Sequence, residues 1–427
     1  MEQAKMRPGQ RFRWGNLALW EKIVVGMVLG VIAGSLLGPD AELLKPIGTL
    51  FINIIKMLIV PLVFCSLVTG VTSMQDTSKM GRIGIKAIAI YLLTTALAIT
   101  IGMLMSTWLT PGEGLNMLAS ALPVEGKDTP SLVHTLLNLI PKNPIAALAS
   151  GNILQIIVFA MGLGVAINLC GEKGKPAAQL FESLAEAMYK LTELVMKFAP
   201  YGVFGLMAWV AGKYGLDILL PLLKVIGVVY LGSIIHVVVC YSGVIKIFAR
   251  LNPLHYIKGL VNPAMVAFTT TSSSGTLPAT IKAAREELGV SKGIASFVLP
   301  LGATINMDGT ALYQGVVALF VAQAFGIDLS VSDYLTIIMT ATLASVGTAG
   351  VPGAGLIMLS LVLSTVGLPM EGLAIIAGID RILDMARTFV NVCGDLMVSV
   401  LVSQSEGELD SDIYNSNTAD AQQEIIT

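Results

Sequence analysis

The sequence predicts an all-α polytopic membrane protein with about eight transmembrane helices and two re-entrant helical hairpins. Of its 427 residues, 55% are hydrophobic and 13% are charged, whereas soluble domains carry about 25% charged residues. The apolar residues also cluster in long runs, and about 20 consecutive apolar residues suffice to cross a bilayer as a helix. The chain has no polar block long enough for a separate soluble domain and no basic patch that would bind nucleic acid.

Apolar runs predict the spans, and charged residues orient them. The runs lie near residues 17–38, 43–73, 83–109, 140–170, 183–211, 217–248, 294–325 and 370–403. Lys and Arg concentrate in the cytoplasmic loops of membrane proteins, so the basic N-terminus (1–16) is expected in the cytoplasm. An even number of spans also places the C-terminus there. The polar, acidic segment 403–427 shows no periodicity and is predicted to be a disordered cytoplasmic tail.

Two further apolar segments, near 252–282 and 335–365, must enter and leave the membrane on the same side if the basic loops are to alternate correctly. Each is interrupted in its middle by Ser, Thr, Gly and Pro, at Thr269–Pro278 and at Ser345–Gly355. A broken helix frees backbone N–H and C=O groups, which hydrocarbon cannot satisfy, so the break must be buried in protein or line a cavity. Both segments are therefore predicted to be re-entrant hairpins.

Each predicted hairpin precedes a span with a polar interruption of its own. Asn306–Thr310 follows the first hairpin, and Asn391–Asp395 follows the second. A hairpin and a broken span that recur with opposite topology are typical of the inverted repeats of secondary transporters, whose binding site lies where the repeats meet. The sequence therefore indicates one site between the two hairpin tips and the two polar interruptions.

The last apolar run carries six polar residues on one helix face, within an arc of about 100°. They are Asp380, Asp384, Arg387, Thr388, Asn391 and Asp395. An ionisable side chain at membrane depth costs about 2.5–3.5 kcal/mol on insertion scales. These groups need one another, water, or a ligand that carries both signs of charge.

Arg387 and Asp384 suggest the chemistry of that ligand. The guanidinium of Arg387 is a planar fork suited to a carboxylate, and Asp384 suits an ammonium. An amino acid with an acidic side chain satisfies both. Asp384 lies one turn before Arg387, so an internal ion pair between the two is the open alternative.

Hard oxygen ligands in the same region suggest a cation. Asp308, Asp395, Asn306, Asn391 and Thr304 offer oxygen atoms, and the absence of His and Cys among them argues against zinc or copper. This set suits Na⁺, although two aspartates that share a proton are the alternative. The pattern indicates no organic cofactor. His236, in an apolar run, is interpreted as a packed core residue rather than a proton relay.

Four motifs in order resemble the dicarboxylate/amino acid:cation symporters, the glutamate transporter family, with the archaeal sodium–aspartate symporters as the nearest group. They are Ser272–Pro278, Leu299–Gln314, Gly347–Gly355 and Asp384–Asp395. The likeness extends over nearly the whole chain to about Val402.

The resemblance implies a symporter rather than an enzyme, set as a homotrimer among the lipids of a prokaryotic inner membrane. Residues 17–215 would mainly form a fixed scaffold. Residues 216–402, together with the third span (83–109), would mainly form a mobile transport domain that carries an acidic amino acid across by an elevator movement. The second hairpin would be the outer gate.

The resemblance also implies site residues. Arg387 would bind the substrate's side-chain carboxylate and Asp384 its amino group. The remaining pocket would comprise Ser274, Thr310, Val351, Gly355, Thr388 and Asn391. One Na⁺ would use Gly302, Asn306, Asn391 and Asp395; a second would use Thr304, Ser345, Val346 and Thr348; a third would use Tyr91, Thr94, Thr95, Asn306 and Asp308.

The chain departs from the family pattern at two positions. Archaeal members carry an Arg just before the triple Ser, where this chain has Thr271, and animal members carry one where this chain has Met385. Arg381 lies one turn before Met385 and is expected to serve instead. Three alternatives stay open at this point: a proton-coupled glutamate or aspartate symporter, an ion channel, and an intramembrane aspartyl protease built on paired aspartates.

Overall fold

The computed structural model describes residues 17, 19–72, 78–115, 140–346, 348, 350 and 352–416. Within these ranges the chain is helical and contains no β-strand, only an isolated bridge between Val290 and Leu409. The helices are α1 (Leu19–Leu37), α2 (Lys45–Thr72), α3 (Ser78–Leu109), α4 (Pro144–Ser150), α5 (Ile153–Leu169), α6 (Lys175–Met196), α7 (Ala199–Tyr214), α8 (Leu219–Ile235), α9 (Pro253–Thr270), α10 (Ser273–Glu286), α11 (Lys292–Ile305), α12 (Asp308–Ala324), α13 (Val331–Val346), α14 (Ala354–Thr365), α15 (Glu371–Ala377), α16 (Asp380–Ser405) and α17 (Ser411–Asn415).

The predicted all-α membrane class is confirmed, and every predicted span coincides with one or more helices. Among the described residues, four helical stretches are long and apolar enough to cross a membrane: Glu21–Phe51, Arg82–Leu109, Leu216–Ala249 and Asp380–Ser405. The first joins α1 to α2 through a 3₁₀ turn, and the third continues α8 through π-helical turns to Ala249. A pair bent by 51° at Met196–Ala199 counts as a fifth if it is one span. Two of the other predicted spans are interrupted. Gly151 and Asn152 separate α4 from α5, and Asn306 and Met307 separate α11 from α12.

Both predicted hairpins are present as helix–break–helix units. In hairpin 1, α9 ends at Thr271, whose φ of 53° is left-handed, and Ser272 caps α10 by accepting a hydrogen bond from Gly275 N–H at 3.0 Å. In hairpin 2, α13 ends at Val346 and α14 begins at Ala354, after Gly353 with a φ of 80°. Such backbone turns favour glycine or short polar residues, which explains the composition of the two tips.

The helices pack in two groups. In the first group α1 packs on α7, and α2 packs on α5, α6 and α7. In the second group α16 is central, and α9, α10, α11, α12 and α8 pack around it, with α3 against α12. The groups meet closely where Gly353 lies against the Met196 sulfur and Gly378 against the Met207 sulfur. Whether they move as scaffold and transport domain stays a prediction.

The C-terminal segment differs from its prediction. Instead of a disordered tail from Ser403, α16 continues to Ser405, and the chain then turns into the short helix α17. Tyr414 is only 1% exposed because its ring packs beside His255. The prediction of disorder rested on the polar average composition of the segment, which does not reveal an individual buried side chain such as Tyr414. The predicted segment 1–16 and residues 417–427 lie outside the described residues.

Candidate functional site

Arg387 is the centre of the site and is 1% exposed. Its Nη1 lies 2.9 Å from Asp380 Oδ1 and its Nη2 lies 2.8 Å from Asp384 Oδ1. The guanidinium carbon sits 4.3 Å from the centroid of the Tyr313 ring, within range of a cation–π contact. The three guanidinium nitrogens nevertheless make no well-aligned hydrogen bond among the described residues. The charge of the guanidinium is therefore balanced by two carboxylates at contact distance.

The tip of hairpin 2 closes over this ion cluster. Gly353 N–H donates to Asp384 Oδ2 at 3.0 Å. Gly355 lies directly against the guanidinium, since a methyl group at this position would come within 2.7 Å of Arg387 Nη1. The structure thus brings the predicted substrate residue Gly355 to Arg387, and glycine is required there by the close approach.

Hairpin 1 meets hairpin 2 at the same place. Gly350 O accepts hydrogen bonds from Ser274 N–H at 3.2 Å and from Ser272 Oγ at 2.8 Å. Arg381, in the first turn of α16, donates a hydrogen bond to Thr271 Oγ1. Both tips are therefore tied to the beginning of α16, as the inverted-repeat pattern predicted.

The N-terminus of α12 supplies the remaining wall. Asn391 Oδ1 accepts a hydrogen bond from Gly309 N–H at 2.8 Å, and its Nδ2 lies 3.1 Å from the Met307 sulfur. Thr310 and Thr388 are both buried. The predicted substrate residues therefore lie on the tips, on α16 and at the start of α12. Val351 lies outside the described residues.

A second buried carboxylate, Asp308, lies at the break between α11 and α12. It is fully buried, and Thr95 Oγ1 donates to its Oδ1 at 2.6 Å. Tyr241 Oη donates to its Oδ2 at 2.7 Å, and His236 Nε2 lies 3.4 Å from the same oxygen. The predicted pairing of the third span with Asp308 is thus seen through Thr95, whereas Thr94 Oγ1 bonds to carbonyls of its own helix.

Asp395 is the third buried carboxylate of the region. Asn306 Nδ2 donates to its Oδ1 at 2.9 Å. Gly302 lies against the same oxygen, and a methyl group there would also come within 2.8 Å of Tyr91 Oη. Asn306, Gly302 and Asp395 therefore converge as predicted. Asn391 does not bond to Asp395, because its side chain is engaged with the start of α12.

The side chains predicted to bind the second Na⁺ form hydrogen bonds within their own segments rather than with one another. Thr304 Oγ1 donates to Leu301 O, Ser345 Oγ to Thr342 O, and Thr348 Oγ1 to Ala344 O. These bonds run to the preceding turn of the chain. Gly350 of hairpin 2 lies against the carbonyl of Ala303, which brings the tip beside Thr304. Val346 is the last residue of α13. A cation position there stays a prediction.

The oxygen ligands of this region suit a hard cation. Asp308 and Asp395 hydrogen-bond to hydroxyl and amide groups, and His236 lies 3.4 Å from Asp308. Oxygen donors of this kind bind alkali and alkaline-earth ions rather than zinc or copper. Within the described ranges, no group of three or more His, Cys, Asp or Glu side chains is suited to a metal ion.

Four residues that contact the charged side chains or Asn391 of the site were not predicted from the sequence to have this role. Asp380 had been placed on the polar face of α16 without a role, although its spacing of seven residues from Arg387 permits contact. Tyr313 lies one turn after Thr310, a signal for the same helix face. Tyr241 and Met307 carried no usable signal, because their partners lie more than 60 positions away in sequence.

A helical membrane protein whose two hairpin tips meet beside a buried charged cluster has the architecture of a secondary transporter. The sequence profile of the sodium:dicarboxylate symporter family matches residues 19–405, and the chain belongs to this family. It is therefore an integral membrane symporter of the dicarboxylate/glutamate class and not an enzyme, which excludes the protease alternative.

The chain is similar to several bacterial transporters over most of its length. It is 41% identical to the proton/sodium-glutamate symport protein of Bacillus caldotenax, over 96% of this chain and 99% of that protein. It is 38% identical to the C4-dicarboxylate transport protein of Rhodospirillum rubrum, over 92% and 90% of the two chains. It is 35% identical to the proton/glutamate-aspartate symporter of Escherichia coli, over 92% and 93%. The predicted nearness to archaeal members stays a prediction.

Proposed function

We propose that the protein couples Na⁺ entry to the uptake of L-aspartate or L-glutamate across a prokaryotic inner membrane. One observation carries the proposal. Arg387 is buried between Asp380 and Asp384, against the tip of hairpin 2, which in turn meets the tip of hairpin 1. A ligand with a carboxylate for the fork and an ammonium for an aspartate matches this charge arrangement.

Binding would exchange internal ion pairs for ligand contacts. The side-chain carboxylate of the substrate approaches Arg387 and competes with Asp380 for the guanidinium. The amino group takes Asp384, whose Oδ2 is held towards the tip of hairpin 2 by Gly353 N–H. Thr310, Thr388 and Asn391 line the pocket, and backbone N–H groups at the tips suit the second carboxylate.

Charge balance supports cation coupling. The net charge of the cluster is zero, because two positive side chains (Arg381 and Arg387) balance two negative ones (Asp380 and Asp384). An acidic amino acid therefore adds one negative charge to this cluster. Asp308 and Asp395 are buried below it, each hydrogen-bonded mainly to neutral groups. Buried unpaired charges are costly, and bound Na⁺ ions would compensate them. The ligands we propose are those predicted from the resemblance, with Asn391 engaged at Gly309 until an ion draws it away.

Proton coupling is the second candidate. A carboxylate such as Asp308, surrounded by the hydroxyl groups of Thr95 and Tyr241, can be neutralised by a proton as well as by Na⁺. The names of two similar bacterial proteins include proton coupling. A C4-dicarboxylate substrate, named for another relative, is less favoured because it lacks the ammonium that Asp384 would bind.

We also propose an elevator movement of α3 and α8–α16 against α1, α2 and α4–α7, which the packing of the helices in two groups supports. The homotrimer is proposed from the resemblance alone. The tip of hairpin 2 is covered at Gly353 by Met196 of the first group. On hairpin 1, Leu254 and Met265 of α9 are 64% and 60% exposed. The basic loops predict a cytoplasmic root for hairpin 1, so we propose that this arrangement is an inward-facing position and that hairpin 2 is the outer gate in the opposite one.

Uptake of labelled L-aspartate into proteoliposomes tests the proposal, with either a Na⁺ gradient or a proton gradient imposed. We expect uptake that requires Na⁺ and is lost in Arg387→Ala. The control is Arg285→Ala, which removes an exposed Arg outside the site. Uptake under a proton gradient alone would assign Asp308 and Asp395 to proton carriage. Uptake of succinate without aspartate would contradict the amino acid substrate.

A further inference from the structure

The segment Glu406–Ser416, which we call the strap, crosses the root of hairpin 1. Asp410 N–H donates to Gly289 O at 2.8 Å, and Leu409 forms a bridge with Val290. Ser291 Oγ donates to Glu408 Oε2 at 2.8 Å. All three contacts engage the turn between α10 and α11, where hairpin 1 ends.

The far end of the strap engages the other leg of the hairpin. Tyr414 Oη donates to the carbonyl of Asn252 at 3.0 Å, immediately before α9 begins. The Tyr414 ring lies 5.9 Å from the His255 ring, centroid to centroid. The strap therefore contacts both legs of hairpin 1 at the end opposite its tip.

The beginning of the strap is fixed to α3. The side chain of Glu406 is 4% exposed and pairs with Arg82 and, at 2.6 Å, with Lys86. Gly289 is required for the docking, because its φ of 66° is left-handed and a side chain there would collide with the carbonyl of Asp410. These contacts are specific, and they involve side chains and backbone from three separate elements.

α16 connects the strap to the tip of the same hairpin. The helix has 26 residues and is therefore about 39 Å long at 1.5 Å per residue. Arg381 in its first turn donates to Thr271 at the tip of hairpin 1, and the strap follows directly after its last residue. Both ends of hairpin 1 are thus tied to both ends of one rigid helix.

From this geometry we infer that the strap positions hairpin 1, holding its root to α16 so that the hairpin and the site move as one body. Tyr414 is the principal positioning residue, because it is the buried anchor of the far end. Tyr256 Oη also joins the root to α16 directly, by donating to Cys393 O at 2.7 Å. Without the strap, the root is therefore held less firmly, hairpin 1 closes imperfectly, and accumulated substrate leaks. Only the expected leakage of substrate rests on the proposed transport function; the positioning of hairpin 1 by the strap does not.

Hydrogen–deuterium exchange on the purified protein tests the contact without requiring transport. Two truncations form a matched pair: one ends at Gly407 and removes the docked residues, and the other ends at Ser416 and keeps them. We expect amides of residues 252–257 and 287–291 to exchange about tenfold faster in the shorter protein and unchanged in the longer one, as local opening becomes easier. Equal exchange in both proteins would overturn the inference.

Point variants keep the test valid should the short truncation fail to fold. Tyr414→Ala removes the ring and the hydroxyl, whereas Tyr414→Phe keeps the ring against His255. In proteoliposomes we expect Tyr414→Ala to lower the final accumulation ratio several-fold while the initial uptake rate and its KM stay near wild type, with rescue by Tyr414→Phe. A parallel loss of rate and accumulation would indicate damage to folding and contradict a positioning role. If wild type transports no acidic amino acid, the exchange result still stands alone.

Discussion

Arg381 donates a hydrogen bond to the hydroxyl of Thr271, joining the first turn of α16 to the left-handed residue at the tip of hairpin 1. The resemblance implies an Arg at one of two positions that Thr271 and Met385 occupy in this chain, and Arg381 is expected to serve instead. The structure shows that a guanidinium reaches position 271 from one turn earlier on α16. Its function in place of the family's Arg stays a prediction.

Removing this contact should loosen the tip of hairpin 1. Thr271→Val deletes the acceptor and leaves the charge of Arg381 beside Asp384. Since a hydrogen bond to a charged group contributes about 1.5–3 kcal/mol, we expect the KM for acidic amino acid uptake to rise about tenfold. Thr271→Ser, which retains the hydroxyl, should behave as wild type, and a loss of uptake in both variants would point to the backbone turn instead.

Asp384 should distinguish amino acids from dicarboxylates. In Asp384→Asn the ammonium of the substrate loses a charged partner, and we expect the affinity for L-aspartate to fall about tenfold or more. Succinate, which has no ammonium, should compete as well as it does against wild type. Competition binding with labelled L-aspartate measures both. Equal losses for the two ligands would mean that Asp384 acts only by orienting Arg387.

Asp380 should oppose substrate binding. It occupies Arg387 Nη1 at 2.9 Å, so Asp380→Asn removes a competing carboxylate while keeping a similar shape. We expect the half-saturating substrate concentration to fall several-fold, measured by isothermal titration in detergent. Tyr313→Phe is the control, because it removes the 3.4 Å contact to Asp380 but preserves the ring under Arg387. Weaker binding in Asp380→Asn would instead make this aspartate a necessary orienting group.

Gly355 should tolerate no side chain. Gly355→Ala places a methyl group within 2.7 Å of Arg387 Nη1, and overpacking costs about 1–3 kcal/mol, so substrate affinity should fall about ten- to a hundredfold. Gly227→Ala is the matched control on α8, where an added methyl group meets nothing within 4 Å. Saturation binding compares the two variants, and similar affinities would show that hairpin 2 adjusts without penalty.

Glu406 should stabilise the protein over the neutral and mildly acidic range. Hydrogen bonds from Arg82 and Lys86 lower the pKa of Glu406 from 4.5 to about 2. A folded-state pKa below the ordinary value adds stability above pH 4.5, which is lost as the pH falls towards 2. Glu406→Gln should therefore lower the Tm at pH 7, with a difference from wild type that shrinks below pH 4.5. Glu193→Gln, which alters an exposed pair with Lys190, should leave the Tm unchanged both at pH 7 and below pH 4.5.

The sequence alone determined the helices, the two hairpins and the core of the site. These features are local: apolar runs specify spans, Ser, Thr, Gly and Pro specify breaks, and helical spacing aligns Asp384 with Arg387. Their physical causes act over a few residues, so a linear pattern contains them. The family motifs then identified Asp308 and Thr95 as neighbours, which spacing could not show.

Tertiary structure decided which groups neutralise one another. Sequence reasoning left open whether Arg387 pairs with Asp384; the folded chain pairs it with both Asp384 and Asp380 and stacks it on Tyr313. The Tyr241 contact to Asp308 and the docking of Tyr414 at Asn252 likewise join positions 67 and 162 residues apart. Such contacts depend on how helices pack in three dimensions, and neither hydrophobic periodicity nor composition encodes that packing in a form that can be read along the chain.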